Sequence, residues 1–226
     1  MKPLKPSRFP RRNPNQRDFL KIYRALFGRY GLRHWWPAKT PFEVIVGAIL
    51  TQNTAWKNVE RAIRNLKAKR ALSFSALRKI TKRDLAQLIR PSGYFNVKAE
   101  RLKAFTGYLW RNYRGSLARM FRTENFALRE ELLGIKGIGE ETADSILLYA
   151  GRKPFFVVDA YTRRVFTRHR YLREGESYAA VQKIFTENLP KSISLYNDYH
   201  AQIVEVGKDY CRGIPRCADC PLRNYL

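Results

Sequence analysis

The chain has 226 residues, 45% of them hydrophobic, and sets 44 Lys and Arg against 19 Asp and Glu for a formal net charge of +25. That apolar share supports a real core and excludes a disordered basic tail, while the charge calls for a polyanionic partner. No stretch approaches the roughly 18 apolar residues of a membrane span, no apolar signal core follows the N-terminus, and three cysteines confined to the last 16 residues make no disulfide framework.

Residues 1–16 are basic and proline-rich and read as a flexible arm. Asp18 to Tyr30 then places Phe19, Ile22, Tyr23 and Leu26 on one helical face. Phe42 to Leu50 is apolar nearly all round, as suits a buried helix. Trp56 to Leu66, Lys82 to Ile89 and Lys98 to Tyr113 repeat Leu, Ile and Phe at helical steps, punctuated by Gly31, Pro37, Pro91, Gly93 and Gly115. The β-like run Phe155 to Val158 is too short to build a sheet. The expectation is an all-α fold of two lobes: a six-helix barrel over residues 40–152, and a second lobe from residues 1–39 and 153–226.

A short helix, Asn125 to Leu133, runs into Gly134-Ile-Lys136-Gly137-Ile-Gly139, and another helix begins at Glu140. Gly137 and Gly139 permit a tight turn and close approach. The free N–H groups opening the second helix can then hold a phosphate. Eighteen residues after Glu141 comes Asp159, behind Phe155-Phe156-Val157-Val158 and opening a helix from Ala160 to Thr167. Taken alone, Asp159 reads equally well as a helix N-cap.

The hairpin, the spacing to Asp159 and the setting VVDAYTRRV together resemble the helix-hairpin-helix (HhH-GPD) DNA glycosylases of the endonuclease III superfamily, over about Phe42 to Cys220. The resemblance implies a base excision repair enzyme that flips a damaged base from double-stranded DNA and cuts its glycosidic bond, with Asp159 as catalytic residue. A carboxylate there would stabilise an oxocarbenium-like sugar and orient the attacking water. In bifunctional relatives a Lys two residues after the second hairpin glycine is the amine nucleophile. Here that position is Glu141, which cannot form a Schiff base, so a monofunctional glycosylase using water is expected. Lys136 is read as a phosphate contact.

The residue matching Gln52, in Thr-Gln-Asn-Thr, fills the gap left by the flipped base in this superfamily; the plainer reading is a helix-end residue. Tyr94, in Pro91-Ser-Gly93-Tyr94, takes the place of the wedge pushed into the opposite strand. Tryptophans are most often core. The cluster Trp35-Trp36-Pro37 with Trp56, however, resembles the 3-methyladenine glycosylase branch, which implies stacking on a positively charged N-alkylated purine such as 3-methyladenine or 7-methylguanine. Lys208 resembles a pocket residue of the same branch.

Cys211-x5-Cys217-x2-Cys220 resembles the superfamily's four-cysteine [4Fe-4S] loop, with a first gap one residue short and Leu226 at the fourth position. An incomplete cluster site, zinc with a histidine such as His200, and no metal all stay open. Arg212 and Arg216 suit phosphate contact. Rival readings are a glycosylase for oxidised or deaminated bases, with or without lyase activity, and a non-catalytic DNA-binding hairpin module. The expected form is a monomer with no membrane partner, cytoplasmic and at the nucleoid if the source is prokaryotic.

Overall fold

A computed structural model describes residues 11–33 and 36–225. Every regular element among these residues is helical and none is a strand, in line with the all-α expectation. In chain order the α-helices are α1 (Gln16–Tyr30), α2 (Pro41–Leu50), α3 (Trp56–Ala68), α4 (Phe74–Lys79), α5 (Lys82–Leu88), α6 (Phe95–Tyr113), α7 (Leu117–Met120), α8 (Asn125–Leu133), α9 (Glu140–Ser145), α10 (Ala160–Arg168), α11 (Tyr178–Asn188) and α12 (Ile193–Asp209). Most of the arm expected over residues 1–16 lies outside the described residues.

Several boundaries differ from the periodicity, for local reasons. The α1 helix starts at Gln16 because the Asn15 side chain accepts from Asp18 N. The α6 helix starts at Phe95, three residues ahead of the expected Lys98, out of a left-handed Tyr94. Helices α4, α7 and α11 were not expected one by one; each opens on a serine (Ser73, Ser116, Ser177) whose hydroxyl accepts the N–H three residues on.

The chain divides into two compact units. One is Trp36–Lys153 and holds α2 to α9; the other joins the segment before Trp36 to everything from Pro154 on. In the first unit α2 is buried without a break from Phe42 to Leu50, as an all-round apolar sequence demands. It packs against α3, α6, α9 and the π-helical turn Ile146–Ala150 that continues α9.

The other unit has an aromatic core. Phe156 stacks on Phe185 at 4.1 Å, with Phe19, Phe166, Tyr171 and Tyr199 around them. The run Phe155 to Val158 is an extended buried segment that feeds Phe156 into this core. Helices α10 and α12 cross closely at Gly207, where a Cβ would lie 2.5 Å from the Tyr161 ring. Asp198 ties α1 to α12 by accepting from Tyr23 Oη at 2.9 Å, Arg33 N at 2.7 Å and Gln202 Nε2 at 2.6 Å.

The hairpin arms α8 and α9 are clamped by charge. Arg129 of α8 donates from Nε and Nη2 to the two oxygens of Asp144 of α9, at 2.8 and 3.2 Å, and Asp144 is fully buried. Breaking a buried pair from one side costs about 3 kcal/mol or more, because a desolvated charge stays behind. Arg129→Met is therefore expected to lower the free energy of urea unfolding by about 3 kcal/mol. A loss below about 0.5 kcal/mol would show that the pair is solvent-screened.

Candidate base site and nucleic-acid interface

The turn between α8 and α9 needs glycine at one position. Gly137 sits at φ +87°, and a Cβ on it would lie 2.5 Å from Arg101 Cγ. The close approach read from the sequence is thus made by the protein's own Arg101. Gly139, the N-cap of α9, has φ −95° and nothing within 4 Å of a built Cβ, so its bare surface is open. Lys136 and Glu141 are exposed beside it. No side chain caps α9. Glu140 and Glu141 in its first turn suit the helix dipole but oppose an approaching phosphate.

Gln52 lies on the turn after α2 and does not point freely outward. Its Nε2 donates to Gly137 O at 3.0 Å and to Thr142 Oγ1 at 2.9 Å, and its Oε1 accepts from Arg101 Nη1. Thr142 and Arg101 carry no motif, so the sequence reading missed both. Tyr94 is 73% exposed. It follows Gly93 at φ +66° and itself adopts φ +45°, an uncommon conformation for a residue with a side chain.

Lys98 anchors both loops. It is 1% exposed, and its Nζ donates to Leu50 O at 2.8 Å, Thr54 Oγ1 at 2.7 Å and Ser92 O at 2.7 Å. One ammonium thus joins the end of α2, the turn carrying Gln52 and the segment leading to Tyr94. Burial, followed by repulsion from Arg101, pushes its pKa down to about 8.

The structure brings two of the three expected tryptophans together; Trp35 lies outside the described residues. Trp36 and Trp56 meet edge to face at 5.6 Å. Trp36 also packs at 5.0 Å against Tyr149, which the π-helical turn presents and which the sequence reading missed inside an apolar helical run. Gly47 makes room for Trp36, since a Cβ there would come within 3.1 Å of the indole nitrogen. Trp56 Nε1 donates to Glu60 at 2.9 Å. Pro37 follows Trp36 and is exposed.

Asp159 takes the N-cap role that the sequence left open to it, and only one of its oxygens is used in doing so. As N-cap of α10 its Oδ1 accepts from Thr162 N at 2.7 Å, and Oδ2 faces His200 Nε2 at 3.7 Å. Burial pushes the pKa of His200 down, against the attraction of Asp159. This places His200, named above as one histidine that could complete a zinc site, beside Asp159. Lys208, two turns further along α12, pairs with Glu205 at 3.3 Å.

Cys211, Cys217 and Cys220 line one open cavity of about 330 Å³, with Arg168, Arg216 and Arg223 on its walls. No group of three or more His, Cys, Asp or Glu able to hold a metal forms among the described residues. Arg168 Nη1 donates to Cys211 Sγ at 3.2 Å and to the carbonyl of Gly213 through Nη2 at 3.1 Å. Three thiols fall one short of the four thiolates that such a cluster takes.

Comparison with known proteins bears on this geometry. The family model for HhH-GPD superfamily base excision DNA repair proteins matches residues 46–191. The putative DNA repair glycosylase MJ1434 of Methanocaldococcus jannaschii is 49% identical over 207 residues, 91% of this chain and 94% of that protein. Endonuclease III of Thermotoga maritima is 29% identical over 189 residues, 82% of each. The structure of H. pylori 3-methyladenine DNA glycosylase (MagIII) bound to 1,N6-ethenoadenine superposes with a TM-score of 0.75 at 31% identity, covering 86% of this chain and 97% of that one. A non-covalent endonuclease III–DNA complex matches at TM-score 0.80 and 21% identity, covering 93% and 94%, which speaks to the fold alone.

Lys98 generates a pH-dependence with a definite sign. Folding lowers its pKa from 10.5 to about 8, so between those values the unfolded chain binds more protons than the folded one. Stability from this residue therefore rises with pH across that window, and the penalty for the buried charge is fully present below about pH 8. Urea unfolding from pH 8 to 10 should show a more positive slope of stability against pH for the wild type than for Lys98→Met. Equal slopes would mean that Lys98 titrates as an exposed lysine.

Proposed function

We propose that this chain, which belongs to the HhH-GPD superfamily of base excision DNA repair proteins and is a DNA glycosylase, binds duplex DNA and hydrolyses the bond between deoxyribose and an N-alkylated purine, with water as nucleophile. The observation that carries the reaction type is the Asp159 carboxylate. One oxygen is pinned by the backbone of α10 and the other is turned toward a buried His200. Fixed in this way, the carboxylate can face positive charge developing on the sugar and orient a water without first reorganising.

Water is the preferred nucleophile because the hairpin has no amine at the position that attacks the sugar in bifunctional relatives; its one lysine, Lys136, matches another position of the motif. Position 141 is a glutamate. Lys98 has the lowered pKa that often marks a Schiff-base lysine. It is buried, however, with its ammonium engaged by three oxygens. An alkylated purine is the preferred lesion because it suits the contact of Trp36 with Trp56 and Tyr149, and because it is already a good leaving group that needs no strong acid. Likeness to the 3-methyladenine glycosylase supports the same choice. Gln52 is the gap-filling residue in this reading and Tyr94 the wedge. Lys136, Arg212 and Arg216 are phosphate contacts.

The test is a panel of duplexes, each with one modified base, scored for released base and for borohydride-trapped adduct. Free 3-methyladenine or 7-methylguanine and an intact abasic strand are expected, without trapping. Release of 8-oxoguanine in preference, or efficient trapping, would move the protein to another branch.

Asn caps helices as well as Asp does. Asp159→Asn should therefore keep the thermal midpoint while lowering base release at least about 100-fold. Unchanged turnover would leave Asp159 a cap and nothing more.

Trp56→Leu keeps an apolar side chain but removes the ring face. Since cation–π attraction is worth about 0.5 to 2 kcal/mol, excision of a cationic lesion should fall more than that of neutral hypoxanthine. Equal losses would make the indole a packing residue.

A further inference from the structure

Gln52 is the residue read as entering the duplex, yet nearly all of its hydrogen-bonding capacity is already used within the protein. A carboxamide has two N–H donors and one carbonyl oxygen. Both donors have acceptors on the hairpin, Gly137 O at 3.0 Å and Thr142 Oγ1 at 2.9 Å, and the oxygen accepts from Arg101. Arg101 is also packed directly on the turn. Its side chain lies on the bare Cα of Gly137, where a Cβ would come within 2.5 to 2.8 Å of Arg101 Cγ, Nε and Cδ.

We propose that Arg101 is a positioning residue that latches Gln52 onto the hairpin, so that the same turn that meets the DNA backbone controls release of the gap-filling side chain. This rests on the reading of Gln52 given above. The physical basis is an exchange of partners. A guanidinium bonds more strongly to a phosphate oxygen than to a neutral amide oxygen. A phosphate arriving at the exposed turn competes for Arg101 and withdraws the bond that orients the Gln52 amide. Gln52 then leaves Gly137 O and Thr142 Oγ1 for the base pair. Contacts made only in the latched state weigh against insertion by their own differential free energy. Away from the correct phosphate register, the latch therefore suppresses opening of normal pairs.

The device belongs to this chain's own residues. Arg101 lies one turn along α6 from Lys98, on the helix that already anchors the Gln52 turn and the Tyr94 loop. Thr142 is buried in the first turn of α9 with its hydroxyl aimed at Gln52. The latch thus spans α6, the turn after α2, the hairpin turn and the start of α9.

The experiment uses the full chain and an undamaged duplex with 2-aminopurine beside the target pair, whose fluorescence rises when its neighbour unstacks. Arg101→Met removes the donor but keeps a long apolar stem, and should raise the unstacked fraction at a normal pair about fivefold, the value of one ordinary hydrogen bond. Thr142→Val removes one acceptor with little change of shape and should act in the same direction. Arg101→Lys, which keeps charge but not the fork, should lie between. In a Gln52→Ala background, Arg101→Met should have no further effect, because the energy of the latch passes through Gln52. A fall in fluorescence for Arg101→Met, or an effect that persists at full size in the Gln52→Ala background, makes Arg101 an independent DNA contact and overturns the latch. No response to Gln52→Ala at all overturns it too. Failure of the wild type to release any alkylated base, with the cycle still non-additive, would sink the lesion assignment and leave the latch standing.

Discussion

An ammonium removed from water costs several kcal/mol unless its protons are met by well-placed oxygens. Lys98 satisfies this by drawing Leu50 O, Thr54 Oγ1 and Ser92 O onto one nitrogen. Those oxygens belong to the end of α2, the turn carrying Gln52 and the 3₁₀ turn before Tyr94. Two loops are thereby referred to a single buried point on α6. The unbroken burial of α2 on one side and the Arg129–Asp144 clamp of the hairpin on the other give that point a rigid frame.

Around this anchor the glycines divide their work. Gly47 yields its Cβ space to Trp36 and Gly137 yields its space to Arg101, whereas Gly139 faces nothing. Close approach is thus used twice for internal packing before any phosphate is considered. The left-handed Tyr94 stands out for the opposite reason. It keeps a large side chain in a conformation that favours glycine, and presents that side chain to solvent. Strain of this kind survives where the flanking segments are held, and Lys98 holds the segment before it.

In the other unit one carboxylate meets two surroundings at once. The cap bond to Thr162 N fixes the rotation of Asp159, which decides what its second oxygen can face. His200 belongs to that second environment and not to the cysteines. The cysteine loop is fastened instead by α10. Arg164 donates to Cys211 O and to Gly207 O, and Arg168 to Cys211 Sγ and Gly213 O. Two arginines of α10 thus hold this loop to the helix that begins at Asp159.

The sequence by itself determined whatever follows from local periodicity and from a contiguous motif. The helices from α1 to α10 with strong apolar spacing, the buried α2, the hairpin, Asp159 at a helix start and the family all belong to this class. Apolar spacing and glycine turns act over a few residues, so they are written where they act. What only the tertiary structure decided are pairings between distant positions: Lys98 with Leu50 and Ser92, Arg101 with Gln52 and Gly137, Tyr149 with Trp36, and His200 with Asp159. Lys98, Arg101 and Tyr149 carry no signal in their own neighbourhoods, because a lysine, an arginine or a tyrosine on a helix reads as surface or core until packing fixes what it faces. Helix ends set by single serines and the π-helical turn that turns Tyr149 inward are decided the same way, by hydrogen bonds and packing that no spacing rule records.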